Sequence, residues 1–159
     1  MLGRRRRDPL SGSGLRDRIF DIDPVEIGLR PDGSRQVWGV VVDQATDSGV
    51  MSLVSLIDGT TSLAMGSGGG VVGGGAYELV AQASEALVYA AQNDLEQFIP
   101  SEERGHPSIG STRIWALTYS GTRMAQADSD SLDERTHRLW RLNMGANGVF
   151  RALSAVEGG

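Results

Sequence analysis

The sequence predicts an α+β fold, a five-stranded antiparallel sheet packed against two long helices in the order β-β-β-α-β-β-α. Three observations carry this. Short β-branched apolar runs flank turn-forming pairs at Asp58-Gly59 and Ser120-Gly121. A stretch from Ala76 to Ile99 repeats apolar residues every three or four positions. A second such stripe runs from about Leu132 to Val156.

The elements follow in order. Residues 1–18 are rich in Arg, Gly and Ser and read as a flexible basic tail. Residues 19–35 read as an extended lead-in broken by Pro24 and Pro31, with a short strand near Val25–Leu29. One domain then spans 36–157. Its first strand is Val37–Asp43, joined through the DQATDSG loop to Val50–Ile57. Asp58-Gly59 turns the chain into Thr60–Met65, and an Asp-Gly pair between apolar runs is a strong hairpin signal. Val80, Ala83, Leu87, Ala90, Ala91, Leu95 and Phe98 define one face of the first helix, which Pro100 ends. Arg113–Tyr119 and Thr122–Asp128 form the second hairpin. Ser131 and Glu134 have capping-box spacing at the head of the last helix. Leu139, Leu142, Ala146, Val149, Leu153 and Val156 fall in one stripe, so a single helix is expected to continue through Gly145 and Gly148.

Composition removes several function classes. The 159 residues include no cysteine, which excludes disulfides, thiol nucleophiles and thiolate metal sites. All 15 basic residues are Arg, so neither Schiff-base chemistry nor a P-loop lysine is available. A net charge of −5, with Arg4, Arg5, Arg6 and Arg7 concentrated at one end, leaves an acidic body. That balance disfavours nucleic acid except through those four arginines. No apolar run is long enough to span a bilayer, and no apolar segment follows the Arg block as an export signal requires. The expected location is cytoplasmic.

Few residues offer chemistry. The glycine-dense stretch Gly66–Gly75 precedes a helix, whose free N–H groups and dipole attract anions. Gly68, Gly69, Gly70, Gly73, Gly74 and Gly75 are therefore a candidate anion-binding loop. Glu78 in the first helical turn opposes this, and the glycines are too dense for any GxGxxG spacing to be informative. Asp128, Asp130, Asp133 and Glu134 lack an EF-hand pattern and read as an acidic cap on the last helix. His106 and His137 read as surface residues, with no metal site and no cofactor expected. No GxSxG elbow is present and no catalytic residue is assigned. Trp38, Trp115, Tyr119 and Trp140 are core aromatics or, where exposed, interface candidates.

The segments Asp58-Gly59-Thr60-Thr61-Ser62-Leu63, Gly68–Gly75 and Arg113-Ile114-Trp115-Ala116-Leu117-Thr118 are similar to those of a group of small, uncharacterised bacterial proteins. These carry a comparable DGT-SL segment and double glycine triplet before a helix. The resemblance covers about residues 36–150 and implies no activity. In element order the chain also resembles type III secretion chaperones and, more loosely, roadblock and longin domains. That likeness implies a non-enzymatic, self-associating binding module. The expected function is thus a protein–protein interaction module or a subunit of a bacterial assembly, homodimeric in the simplest case. The alternative is a small-anion or nucleotide-phosphate binding protein, with enzymatic use left open, built on the glycine loop.

Overall fold

A computed structural model describes Leu10 and residues 14–66, 70–72 and 77–157. The fold is α+β, with one antiparallel sheet between a helical layer and an N-terminal layer. The strands are β1 (Val37–Thr46), β2 (Gly49–Leu56), β3 (Thr61–Met65), β4 (Gly70–Val72), β5 (Ile99–Pro100), β6 (Ser111–Thr118) and β7 (Gly121–Asp128). Their order across the sheet is β4-β3-β2-β1-β6-β7-β5. The five expected strands occupy its centre, and β4 and β5 are short additions at the two edges. β4 grows out of the glycine stretch and β5 contains Pro100, both poor strand sequences, which is why neither showed in the strand pattern.

The helices are α1 (Leu15–Arg18), α2 (Glu78–Asn93) and α3 (Trp140–Glu157). α2 leaves the chain at one sheet edge and returns it to the other, because it lies between β4 and β5 in sequence. Six inter-strand gaps measure roughly 29 Å, and a 16-residue helix is about 24 Å long. Accordingly α2 crosses β3, β2, β1 and β6. Val80, Leu87, Val88 and Ala91 of α2 join Leu142, Ala146, Val149 and Leu153 of α3 over Val40, Val42, Leu53, Ile114 and Ala116. This is the larger core.

β1 is buried along nearly its whole length because both of its faces are covered. Val40 and Val42 face the helices, while Trp38, Val41 and Asp43 face the N-terminal layer. That second layer corrects the expected extended lead-in. α1 and two 3-10 turns, Ile19–Asp21 and Pro24–Ile27, replace it, and no strand forms at Val25–Leu29. The Asp23 side chain accepts from Val25 N–H, Pro24 starts the turn, and Gly28 closes it at φ 86°. Leu15, Ile19 and Leu29 are buried against Trp38, Val54, Leu56, Trp115 and Leu117. The arginine block Arg4–Arg7 lies outside the described residues, but 14–18, expected within the tail, is helical and packed.

Four local expectations shift. The β2–β3 loop is not a two-residue turn: Leu56 N–H donates to Thr60 O and Gly59 N–H to Leu56 O. Asp58 keeps negative φ, and only Gly59 is left-handed, at 92°. In the other hairpin Thr118 pairs with Gly121, so the turn residues are Tyr119-Ser120. The predicted capping box at Ser131 does not form, because Ser131 Oγ donates to Asp128 O within the 3-10 turn Ser129–Asp133. α3 therefore begins later, at Trp140. It continues unbroken through Gly145 and Gly148. α2 ends at Asn93 rather than near Ile99, where Asn93 and Asp94 favour non-helical backbone and a 3-10 turn, Leu95–Gln97, follows.

Glycines on α2 and α3 contacts set two opposite expectations. A Cβ at Gly59 would lie 2.6 Å from Ala81 Cβ on α2. Gly59→Ala should cost about 1–3 kcal/mol through overpacking, with backbone strain added. Among the described residues nothing lies within 4 Å of a Cβ at Gly148, so Gly148→Ala should stabilise by about 1 kcal/mol. Urea denaturation of both variants checks the pair, and the packing of α2 on the hairpin is refuted if Gly59→Ala is neutral.

Candidate interaction surface and the Asp43 cluster

Three features of the described residues stand out. The first is buried and ionic. Asp43 has no solvent exposure, although it projects from β1 into the apolar N-terminal face. A carboxylate there requires paired charge and hydrogen bonds. Arg16 of α1 supplies them, with Nη2 donating to Asp43 Oδ2 at 2.7 Å and Nε facing Oδ1 at 3.4 Å. The same Nη2 donates to Arg104 O, and Nη1 pairs with Asp17 at 2.9 Å. The guanidinium stacks over Trp115 at 4.9 Å and over Phe20 at 5.3 Å. His106 Nδ1 lies 2.7 Å from Asp43 Oδ2. An ionised carboxylate only accepts, so Nδ1 carries the proton in that bond. Trp115 Nε1 donates to Glu103 O, which fixes the same loop. Asp43 thus ties together α1, β1 and the 101–110 loop.

A cleft of about 380 Å³ borders this cluster, lined by Arg16, His106, Ser52 and Gly66 among others. It is where the glycine stretch begins. The Arg16 guanidinium is already held by Asp43 and Asp17. It is therefore not a free cation for an anionic ligand. Of the candidate anion loop, Gly70 lies in β4 opposite Ala64, while Gly68, Gly69, Gly73, Gly74 and Gly75 lie outside the described residues.

The second group is a buried hydroxyl cluster. Ser84 of α2 shares hydrogen bonds with Ser55 at 2.8 Å and with Thr61, whose Oγ1 donates to Gly59 O. This gives the Asp58–Leu63 segment a structural role: it docks α2. Gln92, at the C-terminal end of α2, accepts from Gln36 and Val37 N–H at 2.7 and 2.9 Å and fixes the start of β1.

The third group is the outer face of the helical layer. Leu79 is 69% exposed, Tyr89 51% and Met144 39%, and Ala86 is also exposed. Leu79, Gln82, Ala86 and Tyr89 recur at i, i+3, i+7 and i+10 and so share one side of α2. α3 lies directly beside it, since a Cβ at Gly145 would be 3.1 Å from Leu87 Cδ1.

The aromatic interface candidates divide. Trp38 and Trp115 are buried beneath the N-terminal layer and present no surface. Tyr119 is half-buried, its hydroxyl donating to Leu29 O at 2.9 Å. Trp140 is half-buried at the start of α3, with Arg135 over its ring at 5.6 Å. The two histidines are not brought together: His137 Nδ1 accepts from Leu139 N–H ahead of α3, whereas His106 belongs to the Asp43 cluster. Asp130 and Asp133 sit in a 3-10 turn several residues before α3 and so do not cap it. Ser34 N–H and its hydroxyl, with Arg35 N–H, hold the Asp32 carboxyl below its usual range. Sequence patterning did not find the Asp43–Arg16–His106 cluster. A lone Asp in the apolar run VWGVVVD was its one visible signal.

No family model, curated protein or solved structure matches this chain. No helix among the described residues is long and apolar enough to cross a membrane.

The Asp43 cluster carries a stability prediction. Arg16→Ala leaves a fully buried carboxylate facing only His106. Breaking a buried pair on one side costs about 3–5 kcal/mol. Urea unfolding followed by tryptophan fluorescence should show a loss of that size. A loss below about 1 kcal/mol, the range of surface ion pairs, would contradict the clasp.

Proposed function

We propose that this chain is a non-enzymatic protein-interaction module that works through the outer face of α2 and α3. The observation that carries the reading is the exposed apolar side of α2, Leu79, Ala86 and Tyr89, with Met144 of α3 nearby. Single exposed apolar residues are ordinary, but neighbouring ones on one helical surface mark contact sites. The centre of the sheet is covered on one side by the helices and on the other by the N-terminal layer. Leu79, Ala86 and Tyr89 share one side of one helix, whereas Val25, Met65, Ile99 and Ile109 are exposed on separate elements.

Photo-crosslinking tests this. Benzoylphenylalanine in place of Ala86 should give a discrete crosslinked product in cells expressing the full chain, and the same group in place of Asp47, on the β1–β2 turn, should not. Leu79→Arg should abolish the product while changing stability by no more than about 0.5 kcal/mol, as expected for an exposed position. Equal crosslinking from both positions, or none from Ala86, would refute the reading.

A further inference from the structure

We infer that the occupant of this face is a second copy of the same chain, related by a two-fold axis that lays α2 of each copy on α3 of the other. The inference rests on the interaction reading above and names its partner.

Charge carries it. α2 contains Glu78 and Glu85 and no arginine. α3 contains Arg141 and Arg151, both exposed, with its one acid, Glu157, at the last residue. The two helices pack side by side, yet no ion pair joins them among the described residues. Glu85, Arg141 and Arg151 make no ion pair at all among those residues. The face therefore holds an acidic helix beside a basic helix, both with unspent charge, around Leu79, Tyr89 and Met144.

A two-fold interface brings the same patch of both copies together, so it must be complementary to itself. A uniformly acidic face would repel its own copy. A face divided into an acidic and a basic half is self-complementary when the axis passes between the halves. Each α2 then meets the partner's α3, and the apolar side chains meet at the centre. The chain's net charge of −5 makes unspecific self-contact unfavourable, so the local pattern also selects the register.

Sedimentation equilibrium on the full chain, with two charge-reversed variants, tests this. The first variant carries Glu78→Arg and Glu85→Arg and makes both helices basic. The second carries Arg141→Glu and Arg151→Glu and makes both acidic. Wild type should be a dimer. Each variant alone should self-associate at least about 10-fold more weakly, because like charges then face one another. An equimolar mixture of the two should restore the dimer as a heterodimer, which general surface damage would not do. Circular dichroism reports whether each variant is folded. If reversal impairs folding, Glu85→Gln and Arg151→Gln, which introduce no repulsion, should each still weaken the dimer.

A monomeric wild type would overturn the second-copy inference, and the Ala86 crosslink would then decide separately whether another protein occupies the face. A dimer that both reversed variants and both glutamine variants leave as tight as wild type would overturn the arrangement. A mixture that stays monomeric while its folded components do not self-associate would overturn it as well.

Discussion

Asp43 imposes the constraint around which the N-terminal half is arranged. It is the charged residue in a strand otherwise built of Val, Trp, Gly, Gln, Ala and Thr, and it points into the face that holds Val41, Trp115 and Leu117. An isolated carboxylate in such a place costs several kcal/mol. The chain answers by folding residues 14–29 back across the sheet, so that Arg16 reaches Asp43 and its guanidinium lies on the Trp115 ring. Leu15 and Ile19 are carried into the apolar face by the same movement. The ionic and apolar contacts therefore support one another: the pair positions the segment, and the segment excludes the water that would weaken the pair.

This arrangement decides which surfaces remain. With the N-terminal layer in place, Trp38 and Trp115 are interior residues, and the central strands are covered on both faces. α2 closes the opposite side by bridging from β4 to β5, held near its middle by the Ser55–Thr61–Ser84 hydroxyls and at its C-terminal end by Gln92. A helix fixed at two points holds its outer side chains in place, and a preorganised apolar face binds with less ordering cost than a mobile one. The outward side chains Leu79, Ala86 and Tyr89 are thus held by the same contacts that build the core. The proposed function follows from that placement.

The fold class and the central strands were legible in the sequence because their signals are local. Hydrophobic spacing gave α2, and the stripe from Leu139 to Leu153 gave α3 through both glycines. What was not legible depends on long-range partners. Nothing near Arg16 in sequence announces that its partner lies on β1 at Asp43. An Arg- and Ser-rich stretch looks like a tail until that carboxylate is placed. The short edge strands were hidden for a similar reason, since Gly70 and Pro100 are strand residues only because a neighbouring strand offers its edge. Ser131 misled because its hydroxyl found the Asp128 carbonyl instead of the head of a helix. Two of the aromatic interface candidates, Trp38 and Trp115, are buried, which residue type does not reveal, while Leu79, Tyr89 and Met144 are exposed.

The most direct test of the account is methyl NMR of the full chain across a dilution series. Leu79 and Met144 sit on the outer helical face, while Val25, Ile99 and Ile109 are exposed elsewhere and serve as internal references. If two copies meet through the outer helical face, the Leu79 and Met144 methyl signals shift with protein concentration while those of Val25, Ile99 and Ile109 stay fixed. Signals from Leu79 and Met144 that are independent of concentration, or shifts confined to the reference residues, would contradict it.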